Sequence, residues 1–171
     1  MFGELQLKTY QAEVVLEDYL IKAKVQPRGS MLVYLNDRQR PFLPFDDTEI
    51  YPLAVERQVS CIKQPNIVLN KRYLKLLIIP DEADAQNEQL LASTRPVAIY
   101  TGFFVIQGQL HVNADARDQD LFDETKDYFA LSDASIYPIK KVLTPPTRRV
   151  PLLYLSRALI QVYHVVVEKS G

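Results

Sequence analysis

Cysteine occurs once, glycine five times, histidine twice and tryptophan never along the 171 residues. Each scarcity closes a class of chemistry. The lone Cys61 rules out an intramolecular disulfide and any cysteine-based zinc cluster, and it fits a reducing compartment. Five glycines spell neither GxGxxG nor GxxxxGK[ST], so a phosphate-cradling loop is hard to build. His111 and His164 have no second ligand or base at a useful spacing and read as strand residues. Ser30, Ser60 and Ser132 lie outside any nucleophile elbow. No catalytic residue, metal ligand or cofactor is expected, and the chain reads as a non-enzyme.

Charge of one sign is also lacking. Lys plus Arg number 20 against 21 Asp plus Glu, a net charge of -1, so nucleic acid would have to be met by a local basic patch. No apolar run approaches the roughly 20 residues that span a bilayer. The opening MFGELQLKTYQAEVVLEDY carries charges throughout, unlike a signal or transit peptide. A cytoplasmic protein with no membrane partner is the expectation, and a hydrophobic content of 47% supplies material for a core.

What the chain does have is a phrase spelled twice: FDDTEIYPL at 45–53 and LSDASIYPI at 131–139. A shift of 86 places Asp47 on Asp133, Ile50 on Ile136, Tyr51 on Tyr137 and Pro52 on Pro138. The same shift carries Leu69 to Leu155, Leu74 to Ile160 and Leu76 to Val162; upstream, a shift of 85 carries Tyr19–Ile21 to Phe104–Ile106 and Val25 to Leu110. Matches in three places and in one order imply an internal duplication. The division that follows is 1–80 for a first unit, 81–95 for a linker with a short helix, and 96–171 for a second unit.

Within a unit, AEVVLE and YLIKAKVQ, or PVAIYT and FFVIQGQLHV, alternate apolar positions as a half-buried hairpin requires. Gly108, inside the second of these strands, marks a bulge or a sharp bend. GSMLVYLND reads as a short helix capped by Ser30; DARDQDLFDET is its weaker counterpart. PFLPFDDTEIYPL reads as a strand, a polar turn near Asp46 and Asp47, and a further extended piece. NIVLNKRYLKLLIIP and PLLYLSRALIQVYHVVV each read as two strands about a polar corner. About five short strands per unit are most economically closed as a small bent barrel. The fold expected is mainly β, two tandem small barrels.

Two motifs carry a resemblance. IQGQL at 106–110 followed by FALSDASI at 129–136, and LNKRYLKLL at 69–77, resemble the two signatures of the Sm-like, SH3-type barrel. The whole arrangement resembles, more closely, tandem copies of an uncharacterised bacterial family of small β-rich domains. The resemblance implies small barrels and, because Sm-like proteins form rings, self-association.

Asp46, Asp47 and Glu49 offer carboxylates to a hard cation, but the second copy keeps only Asp133 between Ser132 and Ser135, so a solvated turn is the reading taken. Basic residues gather at Arg38, Arg40, Lys71, Arg72, Lys75, Lys140, Lys141, Arg148, Arg149 and Arg157, near Tyr73 and Tyr154. The leading functional expectation is a non-enzymatic protein-interaction or assembly module that presents open strand edges, sought at Lys75 in LKLLII and in the terminal VYHVVVEK. The alternative is an Sm-like nucleic-acid or nucleotide-binding regulator that uses Asn70, Lys71, Arg72, Tyr73, Ser156 and Arg157 at the corners.

Overall fold

A computed structural model describes residues 7–56 and 58–167. Ten strands follow one another: β1 (Tyr10–Val15), β2 (Tyr19–Val25), β3 (Phe42–Pro52), β4 (Ile62–Asn70), β5 (Leu76–Ile79), β6 (Thr94–Tyr100), β7 (Phe104–His111), β8 (Tyr128–Pro138), β9 (Arg149–Ser156) and β10 (Val162–Val165). Helix α1 (Met31–Asn36) lies between β2 and β3, and α2 (Glu82–Gln86) between β5 and β6. Every pairing is antiparallel, and the order is β10-β6-β7-β8-β9-β5-β1-β2-β3-β4. The expected pair of separate closed barrels is therefore corrected to one open ten-stranded sheet. The reason is the pairing of β5 with β9, in which Leu76 faces Leu155 and Ile79 faces Leu152, so hydrogen bonds run unbroken from one half to the other.

Each half has the same internal plan. The fifth strand pairs with the first, and the first four form a meander: β5-β1-β2-β3-β4 in one half and β10-β6-β7-β8-β9 in the other. The local sequence supports these elements as expected at the hairpins and at α1, where the Ser30 side chain accepts a hydrogen bond from the Val33 amide at 3.3 Å. Acidic DARDQDLFDET forms only a single 3-10 turn at Asp118–Asp120.

The repeated phrase is not a turn. It is an unbroken strand with an extra residue, because Asp47 sits at φ 48° and Asp133 at φ 47°, and opposite them the register of β2 and of β7 slips by one. Asp tolerates this left-handed conformation better than most side chains, and such a bulge bends and twists the strand. Replacing Asp133 with Gly is expected to leave stability within about 0.5 kcal/mol, whereas Val there, β-branched at positive φ, should cost about 1–2 kcal/mol. Denaturant midpoints of the two variants check this, and equal stability of Val and Gly would refute it.

Two clusters of buried side chains fill the molecule. One holds Tyr10, Val14, Ile21, Met31, Leu35 and Phe45 of the first half together with Tyr128, Ala130, Leu152 and Tyr154 from β8 and β9. The other holds Ile99, Phe104, Ile106, Leu131 and Ile136 of the second half together with Val15, Leu20, Leu53, Leu76 and Ile78 from the first. Strands β5 and β9 thus send alternate residues into different cores, which is why LLII is buried at every position.

Candidate functional site

The seam between β5 and β9 joins the two halves, and it defines two surfaces. On the first half, Val15, Leu20, Leu53, Leu76 and Ile78 are covered by the second half. On the second half, Tyr128, Ala130, Leu152 and Tyr154 are covered by the first. By the sequence offsets, the positions matching the first set are Tyr100, Val105, Ile139, Val162 and His164, and those matching the second are Phe42, Pro44, Asn66 and Val68. Both of these latter sets lie at the open ends of the sheet, around β10 and β4. The contrast in exposure is large. Leu76 is 0% exposed but Val162 is 59%; Tyr154 is 0% exposed but Val68 is 69%. Phe42, Tyr100 and Ile139 are exposed as well. Exposed β-branched and aromatic residues beside an unpaired strand are a template for further pairing.

The sequence placed one open edge in the terminal VYHVVVEK, and β10 is an edge strand; Glu168 and Lys169 of that phrase lie outside the described residues. The other expectation, Lys75 in LKLLII, is corrected. β5 lies between β1 and β9, because its continuous apolar run is buried on both faces. The edge missed by sequence reading is β4, whose IKQPN start is exposed on every residue.

The polar corners also meet at the seam. Asn70 accepts from the Arg72 amide at 3.1 Å and so caps the 3-10 turn Lys71–Tyr73. Lys71 turns inward and donates through Nζ to the Asp37 carbonyl at 2.6 Å; burial lowers its pKa against the opposing pull of Asp37 and Asp127. The Tyr128 hydroxyl donates to the Lys71 carbonyl at 2.8 Å. At the other corner the Ser156 side chain makes no cap for the turn Arg157–Leu159, but its amide donates to the Lys75 carbonyl at 3.0 Å. Arg157 donates from Nε to the Lys126 carbonyl at 3.1 Å and lies 3.8 Å from Asp127, which Arg38 grips with two hydrogen bonds at 3.0 and 3.3 Å. Asn70, Lys71 and Arg157 are thus engaged in holding the corners. Arg72 and Tyr73 project outward.

The remaining basic residues disperse. Arg148 lies over the Tyr137 ring at 5.0 Å, and Arg40 over the Tyr34 ring at 5.6 Å. Tyr154 cannot stack on a ligand, since it is buried in the first core. The acidic phrase holds no shared ligand position: Asp47 pairs with Lys24 at 3.0 Å, and the Glu49 carboxylate accepts from the Tyr51 hydroxyl. His111 donates from Nδ1 to the Leu91 carbonyl at 2.6 Å with Nε2 2.7 Å from the Ser132 hydroxyl, and His164 Nε2 lies 3.1 Å from the Tyr100 hydroxyl. Among the described residues no group of three His, Cys, Asp or Glu side chains is placed to hold a metal ion. No helix among them is long and apolar enough to cross a membrane.

Compared with known proteins, the chain matches no protein-family model, no curated protein and no solved structure.

Proposed function

We propose that this protein is a non-enzymatic assembly module whose partner is a second copy of itself, joined head to tail through β10 of one copy and β4 of the next. The observation that carries the reading is the β5–β9 pairing, in which the fifth strand of one half joins the fourth strand of the other. The two sheet ends are the remaining fifth and fourth strands, and there Phe42, Val68, Ile139 and Val162, counterparts of side chains that the seam buries, stay exposed, although His164 and Asn66 replace two of the apolar positions. Transferring the seam register to the ends sets Val162 opposite Leu69, Tyr163 opposite Val68, His164 opposite Ile67 and Val165 opposite Asn66. Such a contact uses different patches on the two copies, so it propagates until rotation closes a ring. On this reading 1–80 and 96–171 descend from one duplicated unit, each an open Sm-like barrel, with 81–95 as the connection. The shared strand order and the bulges at Asp47 and Asp133 support it.

The test uses light scattering with size exclusion over a range of concentrations, against the 19.7 kDa monomer. Val68→Glu and Val162→Glu alter exposed side chains and should each yield a protein that assembles no further than its one intact end permits. Mixed in equal amounts, the two variants should form a one-to-one dimer, because each supplies the end the other lacks. A monomeric parent chain, or a mixture in which the variants ignore each other, overturns the proposal.

A further inference from the structure

Beside the seam lies a cleft of about 470 Å³ that the assembly reading does not use, lined in part by Arg72, Tyr73, Lys75, Phe103 and Lys140, with Glu17 as its acidic member. The Lys75 ammonium lies 5.0 Å from the centre of the Phe103 ring and the Lys140 ammonium 4.7 Å from the same ring. Two cations on one ring repel each other, and among the described residues neither they nor Arg72 form an ion pair with a carboxylate. Three unneutralised cations facing one carboxylate leave a positive excess that an anion of more than one charge relieves. Tyr73, which lines the same cleft, is 59% exposed.

We propose that this cleft binds a nucleotide, with its phosphates between Arg72, Lys75 and Lys140 and its base stacked on Tyr73. A polynucleotide is the less suitable occupant, because a strand needs a continued basic track. The neighbouring cleft shares Arg72, but its Lys71 and Arg157 are tied down by the Asp37 and Lys126 carbonyls and by Asp127, so they do not extend an outward-facing track. The site lies within one chain and does not depend on assembly.

Isothermal titration of the full chain with ATP, ADP, inorganic pyrophosphate and a single-stranded oligonucleotide tests this. ATP should bind, Lys140→Ala and Arg72→Ala should each weaken it about tenfold, and Tyr73→Ala should weaken ATP but not pyrophosphate. Binding should persist in Val68→Glu and Val162→Glu, which separates failure of this site from failure of assembly. No binding by any nucleotide overturns the proposal. So do indifference to all three substitutions, equal affinity for pyrophosphate and ATP, and affinity that grows with oligonucleotide length.

Discussion

Tyr154→Ala is expected to destabilise the chain by about 3–5 kcal/mol, a large part of the roughly 5–15 kcal/mol that holds an ordinary domain together. The side chain is 0% exposed, and the structure seats its ring among residues of the first core although it belongs to β9 of the second half. Removing it leaves a cavity beside Tyr10, Tyr128 and the linker carboxylate Glu88. Burial, and secondarily the charge of that carboxylate, raises the pKa of both Tyr154 and Tyr10, the latter to about 12, so both phenols stay neutral in ordinary buffers. Among the described residues the Tyr154 hydroxyl meets no partner at hydrogen-bond geometry, and Glu88 acts on it mainly through its charge. Tyr154→Phe should therefore remain within about 1 kcal/mol of the parent, which ties the loss in the alanine variant to the ring. Urea unfolding followed by circular dichroism measures both, and an alanine variant within 1 kcal/mol of the parent would disprove the shared core.

The same substitution reports on cooperativity. On β9, Leu153 and Leu155 point into the second core while Leu152 and Tyr154 point into the first, and on β5 Leu76 and Ile78 are divided from Leu77 and Ile79 in the same way. Neither core can lose these two strands without exposing the other. Unfolding should be a single transition for the parent and for Tyr154→Ala, displaced as a whole. Two separated transitions would mean that the halves are independent.

How far the sequence anticipated this depends on which interactions are local. Strand periodicity and the Ser30 cap depend on neighbours in the chain and were readable, whereas the bulge expected at Gly108 lies across from it, on β8 at Asp133. The role of the repeated phrase was half readable: Asp47 and Asp133 signalled irregular backbone, but only strand register distinguishes a bulge from a turn. The central place of β5 is a long-range fact. A signal for it existed, since LLII is apolar throughout whereas its counterpart VYHV is interrupted by His164, as a covered strand and an edge strand should be. Tyr154 was misplaced among exposed aromatics for the same reason, since the face of β9 that carries it packs against the first half, far away in sequence. Phe103, between two lysines from different halves, had no local signature beyond its place after Gly102.

Gly108→Val should cost about 1–3 kcal/mol, through overpacking. Gly108 faces the bulge of β8, and a Cβ there would stand 3.1 Å from the Ser132 carbonyl oxygen and 3.2 Å from the Ala134 Cβ. The first contact is with backbone, so no rotamer change relieves it; β8 itself must move. The matching residue of the first half, Ala23, is 1% exposed and carries its Cβ against an equivalent bulge, so the geometry tolerates one carbon there once the strands have adjusted. Gly108→Ala should accordingly cost less than Gly108→Val, because Ala adds only the Cβ while Val also drives two methyl groups into the second core beside Ile106 and Leu110. Hydrogen exchange adds a local readout: amides from Ser132 to Ser135 should exchange faster in the valine variant as β8 is displaced. A valine variant with parental stability and unchanged exchange at these four residues would show that the bulge does not hold Gly108 in close contact.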